Sequence, residues 1–312
     1  MRSRPSASAS NRLATFRRPA CRRIGRSARL AAVTLALALL GACVPAPEEA
    51  DPDAVPDFEP DTVLGIIQAE GNLVVAVERD SPPVASFEDG EAKGLGVEIG
   101  AAVAEALGVE ADFVPAASSQ QLIEMVEDGD ADLAFPITPL TSAALREMSF
   151  SNPYYIGHQR LLVRADSGIS GIDDLAGQSV CSAIDPVTGV RLDALDPSVD
   201  LVERSDVAEC SAAITENRLD AATASDLALM QVAGTSGSLQ IIGEELSSEG
   251  FAALAGPEAA GLADFVDGVL GEAVEDGVYS RWYEKWITPY LGEPAPTEGP
   301  GLTAEEAAAF FP

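Results

Sequence analysis

Strand-like and helix-like segments alternate through the middle of this 312-residue chain, and this alternation limits its possible folds more than any other feature. A β-branched, apolar run such as Asn72–Glu78 is typical of a strand, and segments with helical apolar spacing follow it. The other strand segments are 110–115, 131–137, 179–184, 219–225 and 238–243, and the helical ones are 96–108, 119–130, 206–218 and 262–290. This order predicts an α/β protein with largely parallel sheets.

The first 42 residues have the pattern of an export signal. Nine arginines and no acidic residue precede Cys43, and the apolar run at 30–40 is shorter than the about 20 residues that span a membrane as a helix. This pattern predicts a signal peptide over residues 1–42. The end of the run, LGAC at 40–43, resembles a bacterial lipobox, so we expect Cys43 to be lipidated and the protein to be anchored to the cell membrane outside the cytoplasm. The alternatives are a plain signal peptide with an incidental cysteine, or a short retained anchor.

The remaining cysteines support export. Cys21 lies in the predicted signal and Cys43 at the predicted lipid site, which leaves Cys181 and Cys210. A cysteine pair in an oxidising compartment predicts a disulfide, and two buried free thiols are the alternative. The sequence contains no CxxC spacing and His158 is its only histidine, so we expect neither a metal site nor a cofactor.

The chain is strongly acidic. Because nine arginines belong to the predicted signal, only ten basic side chains accompany fifty acidic ones after Cys43, a formal charge near −40. Such a field repels nucleic acid and anionic membrane surfaces. We therefore expect no nucleic-acid partner, and a ligand that is cationic or neutral rather than anionic.

Two segments rich in proline and acid read as linkers. Residues 43–61 predict an extended, self-repelling tether, because they contain little apolar surface to bury. Residues 292–312 predict a second linker followed by a tail, in which Thr303 is a candidate N-cap of a short helix. The tail either docks on the body of the protein or stays mobile.

Several motifs resemble the bacterial extracellular solute-binding proteins of family 3, which serve amino-acid ABC importers. FSNPYY at 150–155 resembles a signature of that family, and LIEMVEDGDADLAF at 122–135 resembles its helix–turn–strand unit. ITENRLDAATASD at 214–226 and EDGVYSRWYEKW at 275–286 resemble the family's later motifs, in the same order. The positions of Cys181 and Cys210 also match a disulfide found in some actinobacterial members.

The resemblance implies a two-lobe type II periplasmic binding protein fold, also called a Venus flytrap. It implies that residues 62–163 and 251–291 form lobe 1 and residues 164–250 form lobe 2, with a ligand bound between them. It also implies that the chain is a monomer and that its partners are a small polar solute and an ABC permease in the membrane.

The resemblance further implies where the ligand contacts lie, and three of the strongest are changed. The family's arginine, which binds the ligand carboxylate, is replaced by Ala144. Its aromatic lid is replaced by Ser81, and its ammonium-binding aspartate by Ser225. The motifs of the scaffold are therefore kept, whereas the clamp for an α-amino acid is not.

Other residues are candidates to replace these contacts. The hydroxyl group of Thr141, together with the N-terminus of the helix that it caps, offers a site for an oxyanion. Thr188 offers a second hydroxyl group, and Asp226 replaces the aspartate if the strand end is shifted by one residue. Arg79 and Arg146 are candidate replacement cations, although Arg146 lies about 200° round the helix from position 144.

Several aromatic residues read as packing rather than as ligand contacts. Tyr154 and Tyr155 are expected at the hinge, and His158 is expected to be packed or at the surface. Trp282 and Trp286 read as part of the apolar stripe of the last helix.

The leading hypothesis is a lipid-anchored solute-binding protein that delivers a small polar solute, an amino acid or a related non-standard compound, to an ABC permease. The alternatives are a sensor or envelope interaction protein on the same fold and an enzyme similar to cyclohexadienyl or arogenate dehydratase. We expect no enzyme, because the sequence offers no recognisable acid–base constellation.

Overall fold

The computed structural model describes residues 55–183, 198–236 and 238–309. Its strands are β1 Asn72–Glu78, β2 Asp80–Ser81, β3 Ala85–Glu88, β4 Glu91–Lys93, β5 Glu110–Ala116, β6 Leu133–Ala134, β7 Ser149–Gly157, β8 Gln159–Arg164, β9 Ser179–Ala183, β10 Asp200–Arg204, β11 Ala221–Ser225, β12 Leu239–Ile242 and β13 Glu249–Ala255. Its helices are α1 Val63–Glu70, α2 Leu95–Leu107, α3 Ser119–Glu127, α4 Val207–Thr215, α5 Asp226–Ser236, α6 Ala260–Glu275, α7 Val278–Trp286, α8 Thr288–Leu291 and α9 Ala304–Ala308.

The first five-stranded sheet has the order β5-β1-β6-β13-β7. Strand β1 pairs in parallel with β5 and β6, and β13 runs antiparallel between β6 and β7. Helices α2 and α3 contact β1. Leu73, Val75 and Val77 on one face of the strand and Ala76 on the other are all fully buried. Burial on both faces explains why β1 reads as a continuous apolar run rather than an alternating one.

The second five-stranded sheet has the order β10-β9-β11-β8-β12. Strands β9, β10 and β11 are parallel, whereas β8 runs antiparallel to both β11 and β12. All residues of β11 are buried, because α4 and α5 cover it. The predicted α/β class and two-lobe architecture are confirmed, and each lobe is built around one of these two sheets.

The chain crosses between the sheets twice, and these crossings form the hinge. Strand β7 ends in the first sheet at Gly157, and β8 begins in the second sheet at Gln159, so His158 marks one crossing. The other crossing lies between β12 and β13, at residues 243–248. The first exchange of sheets thus occurs at His158, earlier than the predicted limit between 163 and 164.

A small sheet, β2-β3-β4, lies between β1 and α2, and a glycine at its end sets its path. Gly94 has φ +142°, and a Cβ atom there would lie 2.2 Å from the carbonyl oxygen of Val84. Only glycine fits such an approach of two backbone segments. The close contact brings Ser81 and the turn after it back towards the start of α2.

The predicted helical stretch at 262–290 is divided into three helices. Gly277, with φ +67°, separates α6 from α7, and α8 begins at Thr288 with Pro289 in its first turn. The aromatic residues of α7 pack as predicted: Tyr279 and Tyr283 are buried in the core of the first lobe, and Trp282 and Trp286 pack against it.

The C-terminal tail docks on the first lobe. Thr303 caps α9 in a capping box with Glu306, and Ala304, Ala307 and Ala308 are buried. The tail was predicted either to dock on the body of the protein or to stay mobile, and the structure shows it docked up to residue 309.

A disulfide joins Cys181 of β9 to Cys210 of α4, with their Cα atoms 5.6 Å apart. Both cysteines are fully buried in the core of the second lobe. The disulfide predicted from the cysteine count is therefore present, and it ties a central strand to the helix that covers it.

Loss of this disulfide should destabilise the second lobe. For a separation of 29 residues, the chain-entropy model gives about 3–4 kcal/mol of lost unfolding free energy for a Cys181→Ala/Cys210→Ala variant. Urea unfolding followed by circular dichroism measures this loss. The parent protein under reducing conditions separates the effect of the bond from that of the removed sulfur atoms. An unchanged unfolding midpoint in both cases would contradict the expectation.

Candidate ligand site between the lobes

The carboxyl ends of the parallel strands define the candidate site. In open α/β sheets, ligands bind in the crevice outside these ends. In the first lobe, β1, β5 and β6 end at Glu78, Ala116 and Ala134, and in the second lobe β11 ends at Ser225. The segment after β9, at 184–197, lies outside the described residues and contains Thr188, so the predicted role of Thr188 stays a prediction.

Glu78 is the centre of a polar network at this edge of the first sheet. It is the last residue of β1 and is half-buried. Its Oε1 atom accepts a hydrogen bond from the hydroxyl group of Ser119, the first residue of α3, and its Oε2 atom accepts one from Ser81 Oγ at 3.3 Å. The network thus places a carboxyl group with two hydroxyl partners at the edge of the first sheet where the cleft is expected.

One hydrogen bond of this network joins the two lobes directly. The Nε2 atom of Gln231, on α5 of the second lobe, donates to Ser81 Oγ at 3.0 Å. Ser81 is buried, and its hydroxyl group therefore donates to Glu78 while it accepts from Gln231. The predicted site residue Ser81 thus lies where the lobes meet, with hydrogen bonds in place of the family's aromatic contact.

Ser225 lies at the corresponding edge of the second sheet. It is only 6% exposed, and its Oγ atom has no hydrogen-bond partner among the described residues. A buried hydroxyl group without a partner is unfavourable, so a ligand atom or a water molecule that bonded to it would stabilise this site. The structure therefore supports Ser225 as a candidate ligand contact.

The helix N-terminus predicted beside Thr141 is not formed. The segment after Thr141 is a single 3₁₀ turn, Ala144–Arg146, rather than a longer helix. The hydroxyl group of Thr141 already accepts a hydrogen bond from the backbone N–H of Ala144 at 3.1 Å. A turn this short presents few free N–H groups and almost no macrodipole, so the helix N-terminus expected here is absent. The Thr141 hydroxyl keeps its own hydrogen to donate, and its role as a ligand contact stays a prediction.

The candidate replacement cations do not form a clamp with these groups. Arg79 is exposed, and its guanidinium group lies 5.7 Å from the ring centre of Phe87. Arg146 is exposed at the end of the 3₁₀ turn. A further cation, Arg204, ends β10, and its Nη1 atom donates to the carbonyl oxygen of Glu203 at 3.0 Å.

Asp226 lies in the hinge rather than in the cleft, which corrects its predicted role as an ammonium partner. It is fully buried, and its Oδ2 atom accepts hydrogen bonds from Tyr155 Oη at 2.8 Å and from the backbone N–H of His158 at 3.0 Å. Its own N–H donates to the carbonyl oxygen of His158. Ser225 ends β11 and Asp226 begins α5, so the change from strand to helix falls between them.

The surroundings of Asp226 leave little room and little water. A Cβ atom on Gly157 would lie 2.6 Å from Asp226 Oδ1, so only glycine allows the carboxyl group this position. Burial raises the pKa of Asp226 to about 7, against the opposing effect of its two hydrogen bonds and of the nearby His158. The nearby carboxylate of Glu249 raises it further. The other hinge residues are packed as predicted: Tyr154 and Tyr155 are buried, and His158 Nδ1 lies 2.8 Å from the carbonyl oxygen of Ser247.

Three residues of this site were not recognised from the sequence: Glu78, Ser119 and Gln231. Glu78 could have been found, because it precedes Arg79 at the end of the same strand, and strand ends are where the cleft lies. Ser119 and Gln231 reach the network only through the packing of α3 and α5. Cys43 lies outside the described residues, so its lipidation stays a prediction.

The described residues contain no group of three or more His, Cys, Asp or Glu side chains that could hold a metal ion. Where the structure describes the chain, no helix has both the length and the hydropathy of a membrane span.

A sequence model of the bacterial extracellular solute-binding proteins, family 3, matches residues 73–289. The chain belongs to this family. It is 26% identical over 265 residues to the ABC transporter glutamine-binding protein GlnH of Bacillus subtilis (strain 168), which covers 83% of this chain and 96% of that protein. It is 28% identical over 241 residues to the L-cystine-binding protein TcyJ of Escherichia coli (strain K12), covering 75% of this chain and 89% of that one.

The fold is also similar to that of solved structures. An ancestral cationic amino acid solute-binding protein superposes with a TM-score of 0.62 at 22% identity, covering 72% of this chain and all of that one. Another structure of that ancestral protein is described as a precursor of cyclohexadienyl dehydratase. The two curated relatives given above are named as binding proteins and the sequence similarity shows the family, whereas the structural similarity shows the fold alone.

Replacement of Asp226 by Asn should change how stability depends on pH. The folded-state pKa of about 7 lies above the ordinary value of 3.8, so the folded protein binds more protons than the unfolded chain between these values. The unfolding free energy of the parent therefore falls as the pH rises from about 4 to about 7 through this group. We expect the Asp226→Asn variant to lack this fall and to gain stability relative to the parent with rising pH.

Chemical unfolding at a series of pH values measures the difference. The matched control is Asp112→Asn, at an exposed carboxylate on β5. Equal slopes for the parent and the Asp226→Asn variant would contradict the assignment of a buried, protonated carboxyl group at the hinge.

Proposed function

We propose that this chain is the lipid-anchored, extracytoplasmic solute-binding component of an ABC importer. It captures a small polar solute between its lobes and delivers the solute to a permease, as a monomer and without catalysis. Membership of the family and the names of the relatives GlnH and TcyJ support the transport role. The lipobox-like LGAC at 40–43 supports the anchor.

The single observation that carries the choice of ligand is the Glu78 network. Glu78, with Ser81 and Ser119, provides a half-buried carboxylate at the cleft, and position 144 holds alanine where the family's arginine stands. Acceptors therefore outweigh donors at this site. A ligand that offers N–H donors, either cationic or neutral, complements the site, whereas an anionic ligand is opposed both by Glu78 and by the acidic surface.

The ligand is held by closure of the lobes about the two crossings of the chain. The Gln231–Ser81 hydrogen bond, from α5 of the second lobe to the first lobe, supports such a closure. We keep the predicted lobe limits, 62–163 and 251–291 for lobe 1 and 164–250 for lobe 2, except that the chain leaves lobe 1 at His158 rather than after residue 163. Ser225 presents its hydroxyl group to the ligand from the second lobe.

A thermal-shift screen of the full chain, purified in mild detergent, tests the function. The panel contains L-arginine, L-glutamine, L-cystine, simple amines, betaines, sugars and dicarboxylates, each at low and high salt. A bound ligand raises the unfolding free energy by RT ln(1 + [L]/Kd), so a true ligand gives a shift that grows with its concentration. We expect hits among donor-rich cationic or neutral solutes. A strong response to dicarboxylates would contradict the proposed chemistry, and silence across the panel would favour a sensor or envelope interaction role.

Glu78→Gln tests the position of the ligand. The change keeps the size of the side chain and removes its charge, so we expect binding of a cationic ligand to weaken by about tenfold, since a charge-assisted hydrogen bond contributes about 1.5–3 kcal/mol. Binding of a neutral ligand should change less. Glu91→Gln, at an exposed position of β4, is the matched control, and equal effects of the two substitutions on a cationic ligand would contradict this site.

Cys43→Ser tests the anchor. Without its thiol the chain has no atom to carry the lipid, so we expect the variant to leave the membrane fraction and to lack the mass of the lipid in an intact-mass measurement. The parent should remain with the membrane until detergent is added. An equal distribution of variant and parent between membrane and soluble fractions would contradict lipid anchoring at this residue.

A further inference from the structure

The chain makes a third connection between the lobes, after the two hinge crossings. Helix α8 is capped by Gly292, whose φ of +70° turns the chain. The hydroxyl group of Thr288 donates a hydrogen bond to the carbonyl oxygen of Glu293 at 2.8 Å. The Glu293 carboxylate accepts two hydrogen bonds from Arg160, at 2.9 Å from Nη1 and 3.0 Å from Nη2. Since Arg160 belongs to β8, this end of the segment is bound to the second lobe.

The other end of the same segment is bound to the first lobe. The backbone N–H of Ala304, which opens α9, donates to Asn152 Oδ1 of β7 at 3.0 Å. The carbonyl oxygen of Ala308 accepts from Ser142 Oγ at 3.1 Å. Ala307 packs so closely on Gly250 of β13 that a Cβ atom on Gly250 would lie 2.5 Å from the Cβ atom of Ala307. Residues 292–309, which we call the hinge strap, therefore run from the second lobe to the first.

Between its two hydrogen-bonded ends, the hinge strap also packs on the first lobe, where Gly299 is buried against Val274 of α6 and Ala295 contacts the core. A cavity of about 290 Å³ lies between the strap and the hinge. It is lined by Tyr155, His158 and Arg160 of the hinge and by Pro294 and Pro296 of the strap. Prolines limit the slack of the intervening chain, because each fixes one backbone dihedral.

The ion pair at one end is the stronger anchor. The Arg160 side chain is only 7% exposed, whereas Glu293 is 44% exposed. Glu245, from the second hinge crossing, also lies 3.3 Å from Arg160 Nη2, so one guanidinium group joins β8, the crossing and the strap. A planar guanidinium bound by both oxygens of a carboxylate fixes orientation as well as distance.

Both anchors lie next to residues of the ligand site. Arg160 is the cross-strand partner of Ala224, the residue before Ser225. Ser142 follows Thr141 directly in the loop that ends at the 3₁₀ turn with Ala144. Each anchor is thus within one or two residues of a candidate ligand contact.

We propose that residues 292–309 act as a strap that restrains opening of the hinge and so sets the balance between open and closed lobes. The proposal deepens the proposed function, since a solute-binding protein works through this balance. Release of either anchor allows the lobes to separate further and leaves the hinge backbone more exposed to solvent.

Hydrogen–deuterium exchange of the ligand-free full chain tests the strap. In the Glu293→Gln variant, we expect amides of the β7–β8 junction and of residues 243–248 to exchange about tenfold faster, because the restraint on local opening is lost. Amides of β1, inside the first sheet, should keep their parent rates. The matched control is Glu298→Gln, an exposed carboxylate on the same segment, which should leave the hinge unchanged.

A chain that ends at Gly292 removes both anchors and should show a larger increase at the hinge. If this shortened chain does not fold, the Glu293→Gln variant decides alone. Unchanged hinge exchange in Glu293→Gln overturns the proposal, as does an equal increase in β1 or in the Glu298→Gln control. Because no ligand is used, failure of the strap is distinguishable from failure of the proposed transport function.

Discussion

The buried carboxyl group of Asp226 is the point at which the two lobes share a hydrogen-bond acceptor. Its Oδ2 atom binds the phenol of Tyr155, from the first sheet, and the backbone N–H of His158, where the chain enters the second sheet. Asp226 itself follows β11 of the second sheet. Any rotation of one lobe against the other must therefore occur about this group or break its bonds. Removal of the carboxyl group from water is unfavourable for its charge, so the hinge carries a group that changes protonation within an accessible pH range.

The framework of the fold was predictable from the sequence because its signals are local or depend on burial alone. Strands β1 and β11 are short and buried within their sheets, and the length and β-branched content of β1 favour a strand over a buried helix. The disulfide followed from the number of cysteines and the expected compartment. The capping box of Thr303 followed from neighbouring residues, whereas the docking of α9 onto Gly250 depends on a partner more than fifty residues away and was left open.

The candidate site was harder to predict because it depends on directions of side chains and on ends of elements. Thr141 reads as a helix cap, yet only a 3₁₀ turn follows, and its hydroxyl group accepts from the N–H of Ala144 within that turn. Asp226 and Ser225 are adjacent, and only the register of β11 against β8 decides which of them is in the hinge. Glu78 becomes a site residue through its hydrogen bonds with Ser119 and Ser81, and Ser81 in turn accepts one from Gln231 of α5. No local sequence pattern predicts these contacts.

The scarcity of cations gives the strongest physical constraint on the ligand. Arg160 is committed to Glu293 and Glu245, and Arg164 donates to backbone carbonyl oxygens of the second lobe. Lys285 pairs with Glu98 at 2.6 Å, on the outer side of the first lobe's helices. These three cations of the described residues thus hold elements of an acidic chain together, whereas the side-chain hydrogen bonds described for the Glu78 carboxylate come from the hydroxyl groups of Ser81 and Ser119. Under the proposed function, a cleft with this carboxylate favours a solute that brings hydrogen-bond donors of its own.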